Sequence, residues 1–536
     1  MSSPKPDPSR RILLRVAVGV LTGLLQAACF PDPGAFFLAP LALVPLLWTL
    51  PRLGWRQSVA AGWISGAVSL AIIFHWIVPT AINLAQFPGW GAGLVLAAYA
   101  VVYGVNGVLL ATAMKAILGL PLPGWGQALA VPASVVAVDV LGPHLFPFTL
   151  GNTYFRVPLL IQGADLTGIE GATFVTVSLS VAGVWLARDL RSRRRLSLAP
   201  VAVAAGLAAA WLAYGAVRLA EVREAEETAP RLHLLLVQPD IRPQERRNKD
   251  PAVKDALVDR MVGMTRDADR EGVDAVVWPE GAFPFDWKPG PAPHGAPLTY
   301  GVRAAGKVQD LVREIGVPLV FGSITRPDSR GRNSMMLLGP DGRQEDRYDK
   351  RRLLAFGEYM PLSGVFPWLK GKVKGVGNLQ EGEAFGAFRI GETVAAPSIC
   401  YEAVHAGLTR DAVDAVDARW ILNLTNDGWF GTSGAPAQHL MVQVPRAVEM
   451  RRPLVRATMT GISAVVRASG DLADETGIYE RAVRKVDVPL AATGKTVFAV
   501  AGRWFAWTCV AATVLALLVA IARYRRGKKS RSTSTG

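Results

Sequence analysis

Cys400 closes the short apolar run Ala396-Pro397-Ser398-Ile399 and is followed at once by Tyr401 and Glu402. Such a run predicts a buried strand that delivers a thiol to the lip of a cleft, the position from which a nucleophile acts. Ala275-Val276-Val277-Trp278-Pro279-Glu280 predicts a second strand, ending in a carboxylate. Tyr348-Asp349-Lys350, then Phe356-Gly357-Glu358-Tyr359-Met360-Pro361, add a lysine and a further acid. A thiol at its ordinary pKa is mostly protonated at neutral pH and needs a base or a nearby cation. Glu280, partly desolvated at a strand end, suits the base. Lys350 suits a cation beside the thiolate and the developing oxyanion, with the Tyr401 backbone N–H as a second donor. The chemistry expected is acyl transfer through a thioester. A cysteine–histidine pair is the rival arrangement, with His405 or His439 as base and Asn423 or Asn426 to orient it.

The elements that must position these residues lie in one water-facing stretch. Strands are expected at 232–238, 273–278, 317–322, 334–338, 394–399, 419–424, 454–458 and 462–467, and helices at 251–271, 302–315 and 436–450. This alternation predicts an α/β layered domain over residues 221–497, opened by a charged linker at Glu221–Pro230. Cys400 is the single cysteine in that stretch, since Cys29 and Cys509 lie in apolar segments, so no disulfide framework is available to the domain. Six scattered histidines and no paired cysteines argue against a zinc site, and no phosphate loop or cofactor motif is present.

The remainder of the 536 residues is apolar: the chain is 51% hydrophobic and 19% charged, below the charge content usual in a soluble protein. Eight spans are expected, at 12–30, 35–50, 58–79, 90–114, 124–142, 167–187, 198–219 and 498–522. The span at 124–142 carries Pro132 and Asp139, and the segment 146–165 is too irregular to cross. The net charge of +15 is concentrated in alternate short loops and in the tail at 523–536. That pattern follows the positive-inside rule rather than a nucleic-acid footprint, and puts both termini in the cytoplasm with residues 221–497 outside. The domains expected are a seven-helix bundle at 1–220, the α/β domain at 221–497, an eighth helix at 498–522 and a basic cytoplasmic tail.

Trp278-Pro279-Glu280, Tyr348-Asp349-Lys350, Phe356-Gly357-Glu358-Tyr359-Met360-Pro361, Cys400-Tyr401-Glu402 and Asn423-Leu424-Thr425-Asn426-Asp427-Gly428-Trp429-Phe430-Gly431 together resemble the nitrilase, or carbon–nitrogen hydrolase, superfamily. With eight spans around them, they resemble within it the bacterial apolipoprotein N-acyltransferase family. The resemblance covers nearly the whole chain. It implies a nitrilase-type αββα sandwich inserted between transmembrane helices 7 and 8, on the outer face of the inner membrane. It implies Glu280 as base, Lys350 as stabiliser and Cys400 as nucleophile, with Glu358, Tyr401 and Glu402 in supporting positions. The implied reaction takes an acyl chain from a phospholipid, typically phosphatidylethanolamine, and passes it to the amine of a diacylglyceryl-modified cysteine at a lipoprotein N-terminus. No cofactor, metal or nucleic acid is implied, and a monomer is expected.

Three positions depart from the family pattern: Gly281 where threonine is common, Asp349 where histidine often occurs, and Met459-Thr460-Gly461 in place of an Asn-containing turn. The aromatic loops with Phe283, Phe285 and Trp287, and with Phe366 and Trp368, are expected to dip into the membrane interface as lids. A membrane-anchored amidase using water as acceptor, and a non-catalytic membrane protein with a degenerate nitrilase domain, are the alternatives.

Overall fold

The computed structural model describes residues 8–31, 34–192, 196–288, 299–327, 330–361, 377–491 and 494–533. The chain divides into two compact units, one of residues 1–75, 93–218 and 501–536, the other of residues 76–92 and 219–500.

The first unit is helical. Among the described residues, six helices are long and apolar enough to cross a membrane: Ile12–Cys29, Gly89–Leu118, Gly124–Leu141, Glu170–Ser192, Leu198–Glu227 and Trp504–Arg526. Trp55–Ile73 and Ile77–Ala85 pass the same test together but are bent by 57° at the break between them, and add a seventh where the pair is one broken span rather than a re-entrant loop. The stretch expected to span at 35–50 is instead a shorter apolar helical segment, Phe36–Arg52. Pro40, Pro45 and Pro51 divide it into helical pieces, because each proline removes an N–H donor and crowds the preceding turn. Segment 146–165 is irregular, as expected, with only short helical turns. The charged stretch from Glu221 is not a linker: the helix Leu198–Glu227 runs through it, since its Ala, Glu and Arg residues are good helix formers. Small residues let these helices approach closely. Gly62 and Gly107 face each other so tightly that a Cβ on either would strike the backbone carbonyl of the other.

The second unit is built on two six-stranded sheets. The first contains β1 (Arg231–Gln238), β2 (Ala275–Val277), β3 (Leu319–Thr325), β4 (Arg332–Leu338), β5 (Gln344–Asp349) and, at its other edge, β12 (Ala482–Pro489), in the order β12-β1-β2-β3-β4-β5. The second contains β6 (Phe388–Ile390), β7 (Thr393–Ile399), β8 (Trp420–Thr425), β9 (Leu454–Thr458), β10 (Ala464–Val466) and β11 (Leu472–Ala473), in the order β11-β10-β9-β8-β7-β6. Each has a parallel centre, β1-β2-β3 and β7-β8-β9, flanked by antiparallel strands.

The layering follows from side-chain alternation. Leu232, Leu234 and Leu236 of β1 join Trp420, Leu422, Leu424, Val455 and Ala457 in a core between the two sheets. Leu235 and Val237 point the other way, to a core with Leu257, Val258 and Met261 of helix α1 (Pro251–Arg266) and Val308, Leu311 and Val312 of α2 (Tyr300–Ile315). Helices α3 (Ala406–Ala415) and α4 (Ala435–Met450) belong to the second sheet's side. The result is the expected αββα sandwich. One aromatic loop differs from expectation. Phe283 and Trp287 are buried in the α1–α2 core and packed edge-to-face on Phe321, with Phe285 partly buried beside them, so they are core residues and not an interfacial lid. Phe366 and Trp368 fall outside the described residues.

Candidate active site

Three strand ends carry the triad expected from the sequence. Glu280 lies three residues beyond β2, Lys350 directly after β5, and Cys400 directly after β7, at the start of the tight turn Cys400–Val404. The carboxyl ends of parallel strands are where open α/β sheets present their ligands. Cys400 has φ +53°, a left-handed backbone that a side-chain-bearing residue rarely adopts. Strain of this kind persists only where the surroundings hold it, and it marks functional turns.

Glu402 is the principal holder. One of its carboxylate oxygens accepts hydrogen bonds from the Tyr348 hydroxyl at 2.8 Å and from the backbone N–H groups of Arg351 at 2.7 Å and Arg352 at 3.0 Å. Its other oxygen accepts from the Ile399 N–H at 2.7 Å. One buried carboxylate therefore ties the Tyr348 side chain and the backbone just after Lys350 to the residue before Cys400. Asn423 of β8 adds to the hold, its amide donating to the Cys400 carbonyl at 3.3 Å. Tyr401 is buried, with its ring edge-on to His405 at 4.7 Å between centroids.

The charges are arranged around Lys350, which is 1% exposed. Its ammonium lies 2.8 Å from Glu358 Oε2 and 3.7 Å from Glu280 Oε1. Asn333 of β4 donates from one amide nitrogen to both acids, at 2.7 Å each. Glu358 also accepts from the Leu354 N–H at 2.8 Å. Burial alone would lower the Lys350 pKa; Glu358 and Glu280 outweigh it and hold the ammonium charged. Burial raises Glu280 above the ordinary carboxylate range, with Lys350 opposing and Glu358 adding to the rise. Burial likewise pushes the Cys400 thiol up to about 12, reinforced by the negative charge of Glu280. At neutral pH the resting site thus holds a thiol and an ammonium.

All six residues singled out from the sequence converge here. Asn333 and Arg246 are also at the site and were not foreseen. Asn333 is the middle one of three polar residues, Arg332-Asn333-Ser334, that open β4 before its apolar half, a weak signal. The Arg246 guanidinium donates to the Gly281 carbonyl, next to Glu280. The cysteine–histidine arrangement finds less support. His439 Nδ1 pairs with Asp427 Oδ1 at 2.9 Å, and the other Asp427 oxygen takes Arg456 at 2.5 Å. Burial and then Arg456 lower the His439 pKa. Asn426 accepts from the Gly428 N–H and shapes the turn that follows.

Residues 236–497 match the family model for carbon–nitrogen hydrolases, and residues 22–182 match that for the apolipoprotein N-acyltransferase N-terminal domain. Among curated proteins, the apolipoprotein N-acyltransferase of Geobacter metallireducens is 32% identical over 528 residues, covering 95% of each chain. That of Bradyrhizobium diazoefficiens is 30% identical over 558 residues, covering 97% of this chain and 96% of its own. Among solved structures, a mutant amidase from Nesterenkonia sp. AN1, with acrylamide added at its active-site cysteine, has a TM-score of 0.36 at 20% identity, over 48% of this chain and 93% of the amidase.

Proposed function

The chain belongs to the apolipoprotein N-acyltransferase family, and from that premise we propose that Cys400, Glu280 and Lys350 transfer an acyl chain from a membrane phospholipid to the N-terminal amine of a diacylglyceryl-modified lipoprotein. The protein is a multi-pass membrane enzyme of the nitrilase superfamily. The observation that carries the reading is that similarity to the two acyltransferases extends over 95% or more of this chain, apolar helices included, rather than over the hydrolase domain alone. A soluble amide would not require the helices.

In the first half-reaction Glu280 takes the Cys400 proton as sulfur attacks the ester carbonyl of the phospholipid. The carbonyl oxygen gains negative charge, which the Lys350 ammonium and the Tyr401 N–H stabilise. The tetrahedral species collapses, the C–O bond breaks, and Glu280 returns its proton to the departing lysophospholipid oxygen. A thioester remains on Cys400. In the second half-reaction the lipoprotein amine attacks the thioester and Glu280 accepts its proton; the C–S bond then breaks and Glu280 returns that proton to the departing sulfur, giving the amide and the free thiol. Glu358 and Asn333 hold Lys350 and Glu280 apart and oriented, and Glu402 holds the Cys400 turn.

Phosphatidylethanolamine is the proposed donor, and a monomer the proposed unit. The basic loops argue for both termini in the cytoplasm and the catalytic domain on the outer, periplasmic side. The test is purified full-length protein in detergent with phospholipid and a synthetic diacylglyceryl-cysteine peptide. The expected result is one acyl chain on the peptide amine, resistant to hydroxylamine, with one lysophospholipid formed per transfer. Release of free fatty acid with unmodified peptide, together with hydrolysis of small amides, would favour the amidase reading.

A further inference from the structure

Gly281 and Arg246 occupy one another's space. Gly281 follows Glu280 with φ +63°, and a Cβ built on it would fall on the Arg246 guanidinium. The same guanidinium donates to the Gly281 carbonyl and acts electrostatically on Glu280. The absence of a side chain at 281 is therefore what admits an arginine to the rim of the site. Burial works against the Arg246 charge, and Glu280 opposes that effect.

The segment around it supplies excess positive charge. Arg242, Arg246 and Arg247 flank or lie on the short helix Pro243–Arg247. Arg242 lies over the Tyr479 ring at 5.5 Å and Arg247 over the Trp429 ring at 6.0 Å, so aromatic faces hold these cations. Of the nearby acids, Glu280 acts on Arg246 itself, Glu245 is taken by Arg260 at 2.7 Å, and Asp240 stands 3.9 Å from Arg242. The guanidinium fork matches a phosphate oxygen pair better than a lysine would.

We propose that Arg246, seated in the space left by Gly281, binds the phosphodiester of the donor lipid and so sets the enzyme's preference for phospholipids over uncharged esters. This rests on the acyltransferase reading and deepens it. The phosphate is a fixed anion of the donor, and its capture beside Glu280 brings the neighbouring acyl ester toward Cys400.

The experiment compares wild type, Arg246→Gln and Arg246→Lys in full-length protein, measuring Cys400 acylation by a phospholipid and by an uncharged p-nitrophenyl acyl ester. Loss of a charge-assisted hydrogen bond predicts a rise in phospholipid KM of about 10- to 100-fold in Arg246→Gln, partly recovered in Arg246→Lys. Reaction with the uncharged ester should fall far less than reaction with the phospholipid, since it loses only the action of Arg246 on Glu280 and not the phosphate contact, while thermal unfolding reports an intact fold. If wild type leaves that ester untouched, iodoacetamide alkylation of Cys400 serves as the uncharged reaction. Equal loss with charged and uncharged reagents would overturn the proposal in favour of an action through Glu280, and no loss with either would reduce Arg246 to packing. Wild type that forms no thioester from any phospholipid would instead remove the acyltransferase reading itself.

Discussion

The Lys350 ammonium lies closer to Glu358, at 2.8 Å, than to Glu280, at 3.7 Å. The short pair sets the buried lysine charge against Glu358, an acid to which the proposed mechanism gives no proton transfer. Glu280 is left without a tight ion pair, sharing only the Asn333 amide with Glu358. A carboxylate locked to an ammonium would be a poor base. The second acid therefore frees the first.

Removal of each acid should consequently give a different loss. Glu280→Gln removes the proton acceptor and should lower thioester formation by about 10²- to 10⁴-fold, the usual worth of a general base. Glu358→Gln retains Glu280 but loosens Lys350 and should draw Lys350 toward Glu280. Its expected loss is smaller, about tenfold or more, with the acid limb of the pH profile displaced to lower pH as the closer ammonium stabilises the Glu280 carboxylate. Single-turnover acylation against pH separates the two.

The pH dependence of the wild type follows from burial. Glu280 must be unprotonated to act, and its pKa is raised above 4.5 by desolvation, so activity should fall with falling pH through a point above the ordinary glutamate range. Because the Cys400 thiol is pushed up to about 12, its direct alkylation by iodoacetamide should keep rising on the alkaline side past the ordinary thiol value of about 8.5. A plateau near neutral pH would mean a resting thiolate and contradict the assigned order of proton transfer.

Glu402 and Tyr348 test the staple between the Lys350 and Cys400 strand ends. Tyr348→Phe removes one hydrogen bond and should cost about 0.5–1.5 kcal/mol. Glu402→Ala strands the Tyr348 hydroxyl and three backbone N–H groups, at about 1–3 kcal/mol for each donor left buried and unpaired. Thermal unfolding should show the mild and the severe loss respectively, with acylation abolished only in the second.

Phe283→Ala distinguishes core from lid. A buried aromatic in the α1–α2 core should cost about 3–5 kcal/mol of stability on truncation. A lid residue would instead change the phospholipid KM and leave the unfolding temperature unaltered.

The proposed nucleophile and base were legible because Cys400 and Glu280 each follow an apolar run that stops in a polar residue, whereas Lys350 was singled out from Tyr348-Asp349-Lys350 without the strand that carries it being seen. The two unforeseen residues lack that signature. Asn333 looks like an ordinary strand start until β4 pairs with β5 and brings it beneath both acids. Arg246 stands in a run of charges that reads as solvated surface, and only the missing Cβ of Gly281 gives it a place. Among the elements, β5 was missed because Gln344-Glu345-Asp346-Arg347 is polar on both faces at a sheet edge. The alternation Val483-Arg484-Lys485-Val486-Asp487-Val488 of β12 was present to be read. Phe283 and Trp287 were misread because aromatics near a membrane suit an interface and a core equally, and burial is decided by what packs on them.

Cys400 is proposed to carry the acyl chain. Intact mass spectrometry of the purified protein after incubation with phospholipid, with Cys400→Ala alongside and Cys29→Ser and Cys509→Ser as controls, measures it directly. Wild type and both serine variants should show a hydroxylamine-sensitive gain of one acyl chain, absent in Cys400→Ala. An adduct that survives in Cys400→Ala, or equal loss from all three variants, would contradict it.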